Sequence, residues 1–273
     1  MCGRLILDTT CFGSLSDGNR LAAMRASLVV AHLTTWPSAM NALEIRNTQN
    51  LEVRDRLKRV LFDLLGDRFL LPWPHDLLRE ATDFAAGKVP DLWITRHGYE
   101  ELFLQPDATA SIWPVMQQVL LTTDELFHER VVTHRAATQR LLKARRLRDP
   151  WESLPDFLDS QWAARDLREH VLSITWERLG MPGAAPIDSL LHDEMWCLFL
   201  DIQGAAFFEE TVLHEQPPRA HQTDMLQLLY LAYAPVRVIA STDKAMLRQA
   251  NGILRRRYRN ARAVHLTEVI ATA

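Results

Sequence analysis

His221–Met246 reads HQTDMLQLLYLAYAPVRVIASTDKAM, and its organisation decides the fold. The spacing predicts a helix opening on Asp224, then a continuous apolar strand, Val236 to Ala240, running directly into Ser241-Thr242-Asp243. A short run of Val, Ile and Ala with polar flanks is the pattern of a strand buried on both faces, and such strands belong to helix-covered parallel sheets. In open parallel sheets the binding crevice lies beyond the carboxyl ends of the strands, and Asp243 stands at such an end. The plainer reading makes Asp224 and Asp243 helix caps or turn residues. Either residue taken alone leaves both readings open.

Outward from that stretch, the first strand repeats the arrangement. Arg4-Leu5-Ile6-Leu7 is a compact apolar run that stops at Asp8-Thr9-Thr10, so another carboxylate follows a strand end. After the turn signal Ser16-Asp17-Gly18-Asn19, Leu21, Met24 and Leu28 fall at helical spacing and lead to a second strand around Ala31–Thr35. Pro37-Ser38 starts a helix in which Met40, Leu43, Glu44, Asn47 and Leu51 follow a helical pattern, with Glu44 on or beside the apolar stripe. A surface Glu paired with Arg46 or Lys58 is the alternative there. Glu52 to Asp67, and the segment from Trp73-Pro74-His75-Asp76 to about Gly87, read as helices covering the sheet.

Composition bounds the class. The chain has 273 residues, 48% of them hydrophobic, which suffices for a large core, and a net charge of −3, so nucleic-acid affinity has to come from local clusters. Three scattered cysteines, Cys2, Cys11 and Cys197, form no CxxC pair and indicate neither a disulfide framework nor a zinc cluster. The apolar run at the N-terminus is too short for a signal peptide and no run reaches about 18 residues, so a cytoplasmic protein with no membrane segment is expected. His192 and Glu194 are two apart on a helical pattern and point to different faces, which argues against a metal pair.

Beyond Pro90 strand-like runs disappear. We divide the chain into a first half of the α/β core (1–90), a helical insertion (91–189) and a second half (190–273). The insertion carries a one-sign block that includes Arg140, Lys143, Arg145 and Arg146, and a second basic cluster, Arg255-Arg256-Arg257, follows the helix after Asp243. Each suits an RNA backbone. A solvated helix end with favourable dipole interactions explains each equally well. The chain then ends in a short strand, Ala263–Leu266.

If the strands are neighbours, Asp8, Glu44, Asp224 and Asp243 converge on one crevice. Four carboxylates repel one another unless cations neutralise them, and hard divalent cations prefer oxygen ligands. The set therefore points to Mg²⁺ or Mn²⁺ and to phosphodiester chemistry.

In order and context these residues resemble the PIN-domain nucleases. The matching motifs are Leu5-Ile6-Leu7-Asp8-Thr9, Ser38 with Glu44-Ile45, Asp224 with Leu228 and Ala232, and Val236–Ala240 with Ser241-Thr242-Asp243. The resemblance covers roughly residues 1–90 and 190–273. Thr10 stands where Asn is usual, and the long stretch between Glu44 and Asp224 exceeds the compact family core. The resemblance implies an α/β/α sandwich around a central parallel sheet, plus the all-α insertion. It also implies metal-dependent endoribonuclease activity, with Asp8, Glu44, Asp224 and Asp243 as catalytic metal ligands and Thr9 and Ser241 as supporting hydroxyls. A toxin or defence nuclease with RNA as substrate, an antitoxin or other protein partner, or a homo-oligomer, fits that picture. Two other readings stand beside it: a non-catalytic RNA- or protein-binding module on the same fold, and a different metal-dependent phosphohydrolase.

Overall fold

The computed structural model describes residues 3–46, 48–66, 68, 70–72, 74–81, 151, 153–160, 162–209 and 224–271. Four parallel strands form its sheet: Gly3–Leu7 (β1), Leu33–Thr35 (β2), Arg237–Ser241 (β3) and Ala261–His265 (β4), in the order β2-β1-β3-β4. Leu7 is opposite Ala240, and Ser241 is opposite His265. The central strands β1 and β3 are buried on both faces, as the period-two alternation of side chains makes plain, and such strands belong to a parallel sheet under helices. Ile6, Ile239 and Ala263 enter one apolar cluster, while Leu5, Leu7, Val238, Ala240 and Val264 enter another on the opposite side.

Helices cover both faces. On the second side lie Thr10–Leu15 (α1), Gly18–Val30 (α2) and Leu51–Leu65 (α4), the last presenting the stripe Leu57, Val60, Leu61, Leu64 and Leu65. On the first side lie Glu194–Phe208 (α9) and Lys244–Arg257 (α10). Helix α9 is buried nearly all round, which its apolar sequence requires. The chain leaves β1 in one direction through α1 and α2, and leaves β3 in the opposite direction through α10. Right-handed crossovers then put their helices on opposite faces, as observed.

Several sequence expectations need adjustment. The helix beginning near Ser38 is Ala39–Arg46 (α3) and does not reach Leu51. Asn50 starts a new helix instead, its side chain accepting from Val53 N–H at 3.1 Å, and Leu51 is 60% exposed. Asp224 begins two helical residues that tighten at once into a 3₁₀ segment, Leu226–Leu231, buried throughout and closed by Tyr233 at φ 59°. The strands β3 and β4 sit one to two residues from their expected bounds, and α10 continues to Arg257.

Of the expected insertion, residues 91–150 lie outside the described residues. The rest is helical: Leu154–Asp159 (α6), a π-helical stretch Trp162–Leu167, Arg168–Arg178 (α7) and Ile187–Leu190 (α8), with the short Pro74–Arg79 (α5) packed nearby. Phe157, Leu158, Val171, Leu172 and Leu190 join the cluster that contains Ile239 and α9. The expected boundary at residue 190 therefore does not divide the packing: 151–190 is part of the layer on that face. No helix among the described residues is long and apolar enough to cross a membrane.

Candidate functional site

The carboxyl ends of β1 and β3 are where successive connections depart in opposite directions, so their ends open a crevice between the two helical layers. Asp8 stands at the first end and Ser241-Thr242-Asp243 at the second. Asp8 N–H donates to Ala240 O at 2.9 Å, extending the ladder by one residue and setting its side chain beside Ser241. Asp8 is only 3% exposed. The Ser241 hydroxyl donates to Asp8 Oδ2 at 2.6 Å and the Thr10 hydroxyl donates to the same oxygen at 2.5 Å. Thr10 Oγ1 in turn accepts from Thr242 N–H at 3.2 Å, and Ser241 Oγ accepts from Asp243 N–H at 2.9 Å. The two strand ends are thus stitched together through Asp8. Both hydroxyls use one of its oxygens, and among the described residues no side chain bonds the other.

Asp243 is the N-cap of α10, its Oδ1 accepting from Ala245 N–H at 2.7 Å and Met246 N–H at 3.3 Å. The capping reading of this residue is therefore realised, but it occupies one oxygen only, so it does not exclude a ligand role for the other.

Helix α3 supplies Glu44. It is half-buried, with the Thr9 side chain near enough to favour its charged form. Thr9 Oγ1 also accepts from Asn41 Nδ2 at 3.0 Å, and the same amide nitrogen donates to Leu7 O at 3.0 Å. Asn41 Oδ1 accepts from the Ser38 N–H and hydroxyl, both at 3.0 Å. Every polar atom of this fully buried amide is satisfied, and α3 is pinned to the end of β1. Asn41 and Thr10 were not singled out as site residues by the sequence. The signal for Asn41 was a polar residue three after Ser38, on the apolar face of a helix start; for Thr10 it was only its place after Asp8-Thr9.

The electrostatics tie the four carboxylates to one region. Burial, followed by the charges of Glu44, Asp8 and Asp243, pushes the Asp224 carboxyl up to about 8. Burial raises Glu44 as well, with the charge of Asp8 adding to it and the Thr9 side chain opposing it. Residues 8, 44, 224 and 243 therefore share a field although they come from opposite ends of the chain. Among the described residues, however, no three His, Cys, Asp or Glu side chains stand close enough to hold a single ion directly. The site is a shared acidic field, not a closed coordination cage.

The basic residues are a correction. Arg256 and Arg257 are engaged by buried or neighbouring carboxylates: Arg257 Nε donates to Asp201 Oδ2 at 2.6 Å, while Arg256 pairs with Asp201 at 3.3 Å and also with Asp159. Arg168 binds Asp201 too, at 2.5 Å. Asp201 is fully buried within α9, and it demands these counter-charges. Asp201 lies on an apolar helical run 55 residues before Arg256 in the sequence, so local pattern does not reveal the pairing. They also lie at the far end of α10, about 20 Å along the axis from Asp243 at 1.5 Å per residue. Arg255 is exposed. Arg140, Lys143, Arg145 and Arg146 lie outside the described residues.

No family model, no characterised protein and no solved structure matches the chain.

Proposed function

We propose that the protein is a divalent-metal-dependent endoribonuclease built on a PIN-like three-layer α/β/α sandwich. One observation carries the reading: at the β1–β3 switch point the buried Asp8 carboxylate is held by Ser241 and Thr10 through a single oxygen, with Asp243 anchored to the same Ser241, and burial together with the charges of Glu44, Asp8 and Asp243 raises Asp224. Such a field is costly unless a cation enters it, and an all-oxygen donor set selects a hard ion, Mg²⁺ or Mn²⁺. The residues fit such an ion even without three direct ligands, because Mg²⁺ commonly takes one or two carboxylates and keeps several waters. Asp8 and Asp243, each with an oxygen outside its hydrogen bonds to the described residues, would hold it directly, and Glu44 and Asp224 through water or directly. Bound there, it would supply charge neutralisation and Lewis-acid polarisation at the scissile phosphate.

The chain's own residues do the rest. Ser241 and Thr10 hold the Asp8 carboxylate in one orientation, and Asn41 fastens α3, which carries Glu44, to the end of β1. Asp224, raised to about 8, is the group suited to carry a proton to or from the reacting water near neutral pH. The deciding experiment incubates single-stranded RNA and Mn²⁺ with the wild type and with Asp8→Asn. Cleavage by the wild type alone is expected; equal cleavage by both sinks the reading.

A second reading, a non-catalytic RNA- or protein-binding module, is favoured by the absence of a closed ligand trio among the described residues. It expects RNA binding that is independent of metal and unchanged by Asp8→Asn.

A further inference from the structure

We propose that one face of α10, carrying Lys244, Arg248 and Arg255, is a track for the sugar-phosphate backbone of single-stranded RNA, leading away from the carboxylate edge. The choice of RNA rests on the nuclease reading; the track itself rests on geometry. At 3.6 residues per turn these three positions fall within about 40° of one another and span about 16 Å of helix. All three side chains are exposed, and none of them makes an ion pair or a hydrogen bond with another of the described residues.

A groove of about 610 Å³ runs along this face, lined by Pro155, Arg248, Asn251, Gly252, Arg255 and Arg256. Its floor is fixed. Asn251 donates to Ala263 O at 2.7 Å and accepts from Ala263 N–H at 3.0 Å, fastening α10 to the edge strand β4. Arg256 is held by Asp159 and Asp201. The acidic residues of the facing helix α6 are engaged as well: Asp159 by Arg256, and Asp156 by the Ser153 hydroxyl at 2.6 Å. What the groove presents to solvent is therefore the charge of Arg248 and Arg255.

Helix electrostatics do not account for these charges. A cation in the last turn, such as Arg255, gains from the helix dipole, but Lys244 and Arg248 lie in the first two turns, where the dipole favours anions. They are placed against that preference. Lys244 follows Asp243 directly, so a strand crossing the carboxylate field meets the first cation of the track within one residue. Cations beside an acidic field offset its repulsion of phosphate, which a nuclease site requires.

The test measures binding in EDTA, so that cleavage plays no part. Anisotropy of a fluorescein-labelled single-stranded oligouridylate is titrated with protein at several KCl concentrations. Each single-strand phosphate contact contributes about 0.7 to the slope of log K against log salt. The Lys244→Ala/Arg248→Ala/Arg255→Ala variant is expected to lose about 2 from the wild-type slope and at least about tenfold in affinity at low salt. Gly252→Glu places a negative charge in the groove, and its Cβ has room, the nearest atom being Leu154 Cδ2 at 3.8 Å. It is expected to weaken binding without lowering the melting temperature. Variants that bind with the wild-type slope overturn the track alone. A wild type that binds no RNA overturns the ribonuclease reading with it, and displacement by polyglutamate as strong as by unlabelled RNA overturns the assignment of this face to nucleic acid.

Discussion

Ser241, at the end of β3, donates its hydroxyl to Asp8 Oδ2 at 2.6 Å, joining two residues that are 233 positions apart in the chain. The same oxygen atom of Ser241 accepts the Asp243 N–H at 2.9 Å, so one buried hydroxyl orients a carboxylate and anchors the start of α10. Ser241→Ala removes a hydrogen bond to a charged group and leaves a backbone donor unmet. We expect a loss of roughly 1.5–3 kcal/mol in denaturant unfolding. RNA cleavage should fall more steeply than stability does. A variant with wild-type unfolding and wild-type cleavage contradicts this role.

Asn41 holds α3 to the end of β1 through Leu7 O and Thr9. Asn41→Ala strands the Ser38 donors in a dry site, at a cost of about 1–3 kcal/mol. Because Asn41 fastens to β1 the helix that carries Glu44, the same change should weaken stabilisation by Mn²⁺, read as a smaller rise in melting temperature on adding the ion. An unaltered Mn²⁺ shift would detach Asn41 from the site.

Asp224 makes stability depend on pH in a definite direction. Its carboxyl rises from an ordinary 3.8 to about 8 on folding, through burial first and then the charges of Glu44, Asp8 and Asp243. Below pH 3.8 both the folded and unfolded forms are protonated, and the stability is complete. As pH climbs toward about 8 the unfolded chain gives up its proton and the folded chain keeps it, so stability is lost across that window. Asp224→Asn mimics the protonated form and removes this slope. Its melting temperature should match the wild type near pH 4 and exceed it by several degrees at pH 8.5 in EDTA. Mn²⁺ should reverse that order. Parallel stability profiles for the two proteins would count against a shared carboxylate field.

Asp201 is the counter-charge for Arg168, Arg256 and Arg257 at a fully buried position in α9. Asp201→Ala leaves those guanidiniums with no carboxylate between them and should cost about 3–5 kcal/mol. Denaturant unfolding checks this, and an Asp201→Ala protein of wild-type stability refutes the structural role.

Much of this architecture is written in short-range pattern. The doubly apolar runs around Leu5–Leu7 and Val238–Ala240 determine that strands are buried on both faces, and a parallel sheet under helices follows from that requirement. Asp8 and Asp243 were legible for the same reason, since strand ends carry the polar residues that face a crevice. Only the tertiary structure decided what depends on neighbours distant in sequence. The order β2-β1-β3-β4 sets Ser241 beside Asp8, and the packing of α3 and of the segment after Asp224 brings Glu44 and Asp224 into their field. The arginines show the converse. A run of like charges reads as a surface until a buried carboxylate is found to meet it, and Asp201 meets Arg256 and Arg257 only because α9 packs against α10. Periodicity reports which face of an element is dry, whereas the partner of a buried charge is chosen by long-range packing, which local pattern does not encode.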